Sequence, residues 1–397
     1  MLIERNASLK NALAGKTVLL TGGGGGIGLE AAKAFAYMGA VVIIAEIDPA
    51  KGRGAETAVN DRFGQGRAEF FEVDLAEEDA VNAMCDYISK KYGCPDIVFN
   101  NATYIRIGAV DDVDLSSWDL SYRINFKAPL KLAKRFLPAM KKRGSGTVVF
   151  VSSSGASPFM GAYEIYKTAQ VELGNTLAME LENTNVYAFT IGPGLVKTET
   201  AMGAIKVVAE RMGMSVDEFY RMNSQHILDV ESAGLGFALS ALNAANYHGQ
   251  EIGSIQALTD YDFIRSGDLE DGGAVGPAEK DTFARILKTF KEQYDGWRAM
   301  NIFERQWVFR DFKKYMGLSA EQALEKLKTV DGSLEKGGYT ANTRDGAFFE
   351  KLRDYWKHQL ALLQGYQKDK NKLEEHSRVI NEWISDLDGL LSHFKSQ

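Results

Sequence analysis

The 397-residue sequence contains few of the residues that build disulfide frameworks and metal sites. There are two cysteines, Cys85 and Cys94, and five histidines. Two cysteines in so long a chain give no disulfide framework, and no metal-ligand spacing links them to the histidines. We therefore expect a reduced, cytoplasmic protein without a metal site.

The sequence also lacks an excess of positive charge and long apolar runs. Lysine and arginine number 46 against 53 aspartates and glutamates, so the formal net charge is -7. A dedicated nucleic-acid surface needs clustered basic residues, and a membrane helix needs roughly 20 apolar residues. Because the longest apolar runs have the length of a strand and residues 1–10 carry charges, we expect no nucleic-acid partner, no membrane span and no export.

Glycine, by contrast, is concentrated in one place. Residues 21–28 read Thr-Gly-Gly-Gly-Gly-Gly-Ile-Gly, between an apolar segment and a helical pattern. The run fits two registers: Gly-x-Gly-x-x-Gly through Gly23, Gly25 and Gly28, and Thr-Gly-x-x-x-Gly-x-Gly through Thr21, Gly22, Gly26 and Gly28. Either register predicts a loop that binds the pyrophosphate of a dinucleotide, because glycines admit close approach and the helix N-terminus attracts anions.

An acidic residue, Glu46, ends the second apolar segment about twenty positions further on. Its carboxylate can accept hydrogen bonds from the adenosine ribose hydroxyls and would repel a ribose phosphate, while no arginine follows directly. This favours NAD over NADP. A solvated strand-end carboxylate is the alternative interpretation, and Asp48 is a weaker candidate for the same role.

Apolar strand-like segments alternate with helical patterns along the first 260 residues. Strands are predicted at residues 16–21, 41–46, 69–73, 96–99 and 147–151, and helices at 29–38, 81–91 and 118–137. This alternation predicts an α/β fold with a doubly wound parallel sheet. After the third strand, Asp74 and Leu75 could bracket an adenine, although a turn aspartate is nearly as good an interpretation.

Tyr163 and Lys167 lie four residues apart in a predicted helix and therefore on one face. An ordinary tyrosine has a pKa of about 10, and lowering it by ~3 units requires about 4 kcal/mol of preferential stabilisation of the phenolate. A nearby ammonium group and a positively charged nicotinamide can supply this stabilisation. The pattern alone is weak, since helices produce it by chance.

Taken together, the motifs resemble the short-chain dehydrogenase/reductase family, in order and in approximate spacing. The matching positions are Thr21, Gly22, Gly26, Ile27, Gly28, Asp74, Leu75, Asn100, Asn101, Ala102, Asn125, the serines after the strand at 147–151, Tyr163, Lys167, Pro193, Gly194, Leu195, Val196 and Thr198. The resemblance extends from about residue 13 to residue 258. It implies a Rossmann-like fold and hydride transfer between a secondary alcohol or ketone and a nicotinamide cofactor.

The resemblance also implies a role for each matching residue. Tyr163 would be the general acid/base, Lys167 would lower its pKa and hold the nicotinamide ribose, and Asn125 would hold a proton-relay water. A serine would bind the carbonyl oxygen. The implied cofactor-binding residues are Thr21, Gly22, Gly26, Ile27, Gly28, Glu46, Asp74, Leu75, Asn101, Ala102, Tyr163, Lys167, Pro193, Gly194, Val196 and Thr198.

Two departures from the family pattern stand out. Thr103 replaces a usual glycine, so that a side chain intrudes beside the cofactor or the loop is rearranged. The interval between the serine and Tyr163 is a few residues short. Ser153 is the favoured serine, Ser154 is the alternative, and Ser152 is a weaker candidate. Residues 197–223 correspond to the substrate lid of the family.

The remaining sequence predicts an added helical unit. We divide the chain into a catalytic domain at residues 1–258, a connection at 259–277 and a helical extension at 278–397, whose apolar faces need a partner. A self-contained bundle, an arm on another subunit and a cover over the active site are the three possible burials. We expect a homo-oligomer, a dimer or tetramer, to which these helices contribute. Two other functions remain open: an epimerase or lyase on the same fold, and a non-catalytic NAD-binding protein.

Overall fold

The computed structural model describes residues 1–153, 158–222, 227–264, 277–300, 302–316, 319–335, 343–366 and 370–396. The chain divides into two compact units, Met1–Ile264 and Arg265–Gln397. The connection predicted at residues 259–277 falls largely outside the described residues, as do Ser154 and the last residue of the predicted lid, Asn223.

The first unit is built on a parallel sheet of seven strands in the order β3-β2-β1-β4-β5-β6-β9. The strands are β1 Thr17–Thr21, β2 Val41–Glu46, β3 Ala68–Glu72, β4 Ile97–Asn100, β5 Gly146–Val151, β6 Val186–Gly192 and β9 Glu251–Gly253; a separate pair is formed by β7 Leu195–Val196 and β8 Ile227–Leu228. The strand order reverses between β1 and β4, where ligands bind in open α/β sheets. The predicted doubly wound parallel sheet is confirmed.

Helices cover both faces of this sheet. They are α1 Gly26–Tyr37, α2 Pro49–Phe63, α3 Glu78–Lys91, α4 Leu115–Tyr122, α5 Ala128–Arg143, α6 Gly161–Glu180, α7 Glu199–Arg211, α8 Val216–Met222, α9 Val230–Leu242, α10 Ala244–Tyr247 and α11 Ser254–Asp260. Alternate residues of β2 enter two different cores: Val42 and Ile44 pack on the side of α1 and α9, and Ile43 and Ala45 on the side of α3 and α5. A strand buried on both faces must be apolar throughout, which is why these segments were recognisable in the sequence.

The predicted helix at 118–137 contains an irregularity that the sequence does not reveal. Its α-helical turns in α4 and α5 are separated by a π-helical segment, Arg123–Lys127, which includes Asn125. An inserted π turn breaks the regular hydrogen-bond ladder of a helix and often marks a functional site.

The second unit consists of helices within the part of the chain that the structure describes. They are α12 Pro277–Ala299, α13 Ile302–Met316, α14 Ala320–Glu335, α15 Thr343–Tyr366 and α16 Lys370–Ser396. The predicted apolar faces pack against one another: Phe290, Trp297 and Phe312 meet Tyr355 and Trp356 in one aromatic core. Where their side chains are described, the faces are thus buried within the unit itself, the first of the three possible burials. No described helix is long and apolar enough to cross a bilayer.

Candidate active site

At the base of the site, hydrogen bonds join the loops that follow β1 and β4. The buried Thr21 hydroxyl accepts from the backbone N–H groups of Asn101 at 3.1 Å and Ala102 at 3.0 Å. The Asn101 amide donates to the carbonyls of Thr21 and Gly22, each at 2.9 Å. These bonds fix the two loops that flank the switch point of the sheet.

The conformation of the glycine loop favours one of the two sequence registers. Gly22 and Gly26 have φ values of +67° and +52°, in the region that side-chain-bearing residues avoid. Gly25, which only the other register uses, has an extended backbone and open space where a Cβ would lie. Glycine is therefore required at the positions of the Thr-Gly-x-x-x-Gly-x-Gly pattern.

Gly28 is glycine because the first turn of α1 lies against the loop. A Cβ on Gly28 would stand 2.2 Å from the carbonyl oxygen of Gly22, which is a backbone atom that cannot rotate away. We expect Gly28→Ala to lower the melting temperature of the cofactor-free protein by several degrees, measured by circular dichroism. Gly25→Ala is the matched control and should melt like the wild type; equal melting of both variants would contradict the packing argument.

Glu46 folds back over the glycine loop from the end of β2. Its Oε2 accepts from the Gly24 N–H at 3.1 Å, and its Oε1 accepts from the N–H groups of Ile47 at 2.9 Å and Asp48 at 3.2 Å. A Cβ on Gly24 would lie 2.7 Å from Glu46 Cγ, so only glycine leaves room for the carboxylate. Asp48 instead caps α2 by accepting from Ala50 N–H at 2.8 Å.

Further candidate cofactor residues follow the carboxyl ends of β3 and β6. Asp74 Oδ1 accepts from Ala76 N–H at 2.8 Å, as in the turn that was its alternative interpretation. Beyond Pro193 and Gly194, Val196 is buried in β7, and Thr198 caps α7 by accepting from Ala201 N–H at 3.1 Å. The Thr198 methyl group lies 3.5 Å from the position of a Cβ on Gly26, so this segment faces the glycine loop.

Asn125 holds the loop that follows β4. Its Oδ1 accepts from Thr103 Oγ1 at 3.0 Å and from Tyr104 N–H at 2.8 Å, while its Nδ2 donates to Tyr104 O at 2.8 Å and Ser121 Oγ at 2.9 Å. All four hydrogen-bonding positions of the amide are therefore used within the protein. The hydroxyl of the unusual Thr103 is one of these partners.

Tyr163 stands in the first turn of α6, beside the end of β5. Burial raises the pKa of its phenol to about 12, a hydrogen bond with the Ser153 hydroxyl acts to lower it, and the Glu164 carboxylate acts to raise it. Desolvation of the phenolate is the largest of these effects. The structure thus brings Ser153 and Tyr163 together. Ser152 is buried, and Ser154 lies outside the described residues.

Lys167 is buried to 1% exposure one turn further along α6. Burial lowers the pKa of its ammonium group to about 7, against which the Glu164 carboxylate acts to raise it. Its Nζ has no hydrogen-bond partner within the described residues. A buried amine without a partner, on the same helix face as Tyr163, is what a site for ribose hydroxyls would present.

The site includes three further residues that the sequence motifs did not identify. They are Gly24 beside Glu46, the buried Glu164 between the two candidate catalytic residues, and the buried Gln170, whose amide donates to the carbonyl of Asn125. Gln170 was detectable in principle, because a polar residue three positions after Lys167 falls on the buried face of α6.

The model of the short chain dehydrogenase family matches residues 16–207. D-beta-hydroxybutyrate dehydrogenase of Cupriavidus necator is 32% identical to this chain over 213 residues, 53% of this chain and 81% of that enzyme. The chain belongs to the short-chain dehydrogenase family. The family is one of oxidoreductases that use a nicotinamide cofactor.

Other short-chain dehydrogenases are similar over a comparable part. A short chain dehydrogenase of Pseudocercospora fijiensis is 38% identical, and the match spans 47% of this chain but only 62% of that relative. Human dehydrogenase/reductase SDR family member 4 is 34% identical over 48% of this chain and 69% of its own. The L-sorbose reductase of Gluconobacter frateurii, solved with NADPH and L-sorbose, shares the fold at 24% identity, with a TM-score of 0.55 over 62% of this chain and 96% of its own.

Proposed function

We propose that this short-chain dehydrogenase transfers hydride between a secondary alcohol or ketone and NAD, with Tyr163 as the general acid/base. The observation that carries the proposal is the grouping of Tyr163 with the Ser153 hydroxyl and the buried Lys167 amine at the carboxyl end of β5. In an α/β sheet of this order, that edge is where a dinucleotide binds.

The residues present fit a nicotinamide dinucleotide. At the N-cap of α1, Gly25 has no side chain and open space where a Cβ would lie, so a pyrophosphate could approach the backbone N–H groups of the helix N-terminus. Lys167 Nζ, which has no hydrogen-bond partner in the part of the chain that the structure describes, is suited to the ribose hydroxyls of the nicotinamide half. When bound, the cofactor accepts or donates the hydride.

The protein's own residues would manage the proton and the orientation of the substrate. Ser153 would donate a hydrogen bond to the substrate oxygen, and Tyr163 would take the alcohol proton or return it to the ketone oxygen. Lys167 would stabilise the phenolate form of Tyr163 whenever its amine is charged. Asn125 would act by holding the loop at Thr103 and Tyr104, because its amide has no position left for a water.

A screen of secondary alcohols with NAD⁺, followed by NADH absorbance, tests the proposed reaction. Net formation of NADH supports it. An epimerase or lyase would convert its substrate without net NADH formation, and a non-catalytic NAD-binding protein would bind NADH without any conversion. Those two functions are the alternatives, and the intact Tyr163 and Lys167 favour the enzyme over the binding protein.

The preference for NAD over NADP rests on Glu46 and is tested by removing its charge. We expect Glu46→Ala to raise the ratio of kcat/KM for NADP⁺ to that for NAD⁺ at least about tenfold, since like charges about 4 Å apart repel by several kcal/mol near a protein surface. Asp48→Ala is the control, because it removes a nearby carboxylate that caps α2. An unchanged ratio in Glu46→Ala, or an equal change in Asp48→Ala, would count against this role of Glu46.

We also propose that the protein works in the cytoplasm as a homo-oligomer. Within the first unit, α4 and α6 carry exposed apolar side chains, among them Leu115, Ile165 and Met179, which are 81%, 50% and 70% exposed. Association of copies would remove this surface from water. The contribution of the C-terminal helices to association is tested by light scattering after removal of residues 265–397. An unchanged oligomer would show that these helices are not needed for association.

A further inference from the structure

Three polar side chains are buried in a row along one face of α6. Glu164, Lys167 and Gln170 are 4%, 1% and 0% exposed, at intervals of three residues. Polar and charged side chains are rarely buried this completely unless they have partners. Lys167 lies in the middle, with a carboxylate one turn before it and a carboxamide one turn after it.

Gln170 has one end of its carboxamide fixed. Its Nε2 donates a hydrogen bond to the backbone carbonyl of Asn125, which lies in the π-helical segment between α4 and α5. A π turn disturbs the carbonyl pairing of a helix, so the Gln170 amide supplies a donor where the helix ladder is irregular. The bond also ties α6, which carries Tyr163, to the segment that holds the loop at Thr103.

The other end of the carboxamide has no partner within the described residues. Gln170 Oε1 is a buried acceptor without a donor, and Lys167 Nζ is a buried donor without an acceptor. Residues three apart on a helix have neighbouring side chains, with Cβ atoms about 5–6 Å apart. A lysine side chain has four methylene groups and can bring its amine to such a neighbour. A hydrogen bond from Lys167 Nζ to Gln170 Oε1 would give each of these atoms a partner.

We propose that Gln170 is a positioning residue for Lys167: its Oε1 holds the lysine amine, directly or through one water, while its Nε2 donates to the Asn125 carbonyl. The inference rests on the proposed function, in which Lys167 supports Tyr163. Gln170 sets the depth and direction of the amine from the side opposite Glu164. Removing the acceptor leaves the amine less stabilised in its charged form.

The titratable and charged groups on the elements around Lys167 decide whether its own titration can be followed. On α6, Glu164 and Tyr163 share the site with Lys167, while the ring of Tyr166 packs against Trp118 and Tyr122 of α4. Helix α6 packs against α4, the π-helical segment, β5 and β6. On the helical partners, Asp119 is exposed, while Arg123 and Lys127 pair with acids of α3 and the turn before it. The two strands carry no charged side chain, and Tyr187 of β6 packs against His248.

Two substitutions separate the acceptor role from the anchoring role. Gln170→Met keeps the volume and removes both hydrogen-bonding ends, whereas Gln170→Glu keeps an acceptor for Lys167 and loses the donor for Asn125. We expect Gln170→Met to lower kcat about 10- to 100-fold, with little change in KM, and to move the alkaline limb of the pH profile down by about one pH unit. Gln170→Glu should return that limb to the wild-type pH or above it, because a carboxylate favours the ammonium form.

Ser121→Ala serves as the structural control, because it removes a hydrogen bond of the Asn125 side chain and leaves the bond from Gln170 Nε2 to the Asn125 carbonyl in place. Its alkaline limb should stay in place. The inference is overturned if Gln170→Glu and Gln170→Met shift the limb equally, if neither shifts it, or if Ser121→Ala shifts it as far as Gln170→Met.

A second measurement keeps this test independent of turnover. In the cofactor-free protein, the pH at which the melting temperature begins to rise reports the deprotonation of buried Lys167. It should be lower in Gln170→Met than in the wild type and not lower in Gln170→Glu. If the wild type turns over no substrate, the proposed function fails, while this measurement still supports or overturns the role of Gln170.

Discussion

Replacing Tyr163 by phenylalanine should reduce turnover by about 10²- to 10⁴-fold, the range that general acid/base groups contribute. The substitution keeps the aromatic ring that packs at the start of α6 and removes only the hydroxyl. Binding of NADH, measured by its fluorescence, should remain near that of the wild type. The expected loss is therefore in kcat rather than in cofactor affinity.

The reason lies in the environment of the phenol. Burial raises the pKa of Tyr163 to about 12, which favours the protonated phenol at neutral pH. It can act as a base only when positive charge is brought near it, by Lys167 and by the oxidised nicotinamide. Its hydrogen bond with the Ser153 hydroxyl places the phenol beside the group that would bind the substrate oxygen, so the proton has a short path between them.

Tyr166→Phe is the matched control for this variant. Tyr166 lies on the same helix, and its ring packs against Trp118 and Tyr122. Its hydroxyl has no role in the proposed chemistry, so turnover should be largely retained. Turnover in Tyr163→Phe comparable to that of Tyr166→Phe would mean that the proton is transferred by another group.

The sheet was predictable from the sequence because its strands are buried on both faces. Residues 41–46 form an uninterrupted apolar run up to Glu46, and β2 has these bounds in the structure. The glycine run that leads from β1 into α1 was predictable for a similar reason. The positive φ angles at Gly22 and Gly26 and the close backbone contact at Gly28 exclude other residues. Local chemistry alone determines both features.

Features that depend on pairing between distant segments could not be read from the sequence. Spacing predicts an acid at the end of β2, but not that Glu46 turns back to the N–H group of Gly24. Likewise, Asn125 was recognisable as a motif residue, whereas its hydrogen bonds to Thr103 and Tyr104 require the loop after β4 to be in place. In the helical unit, amphipathic patterns identified buried faces without indicating that they bury one another.

Lys167→Met should produce the largest change in the pH dependence of stability. The pKa of Lys167, about 7 in the folded protein, lies below its ordinary value of 10.5. Below pH 7 the amine is protonated in both folded and unfolded states, and the full unfavourable free energy of burying a charge opposes folding. Between pH 7 and 10.5 the unfolded state binds more protons, so the stability of the wild type rises with pH.

The rise can reach about 4–5 kcal/mol at most, given a pKa difference of this size. Methionine fills a similar volume without a charge. The cofactor-free variant should therefore melt several degrees above the wild type at pH 6.5, and the difference should shrink as the pH approaches 10. Above pH 10 the raised pKa of Tyr163 acts in both proteins and does not affect their difference.

Thermal unfolding at a series of pH values measures this difference, with the exposed Lys134 of α5 as a matched lysine. Lys134→Met should show no pH-dependent gain, because its amine is hydrated in both states. A constant difference between Lys167→Met and the wild type across pH 6.5 to 10 would mean that Lys167 is not desolvated in solution. In that case Lys167 would lack the poised amine through which it is proposed to assist Tyr163, since a hydrated ammonium near the phenol stabilises the phenolate far less than a buried one.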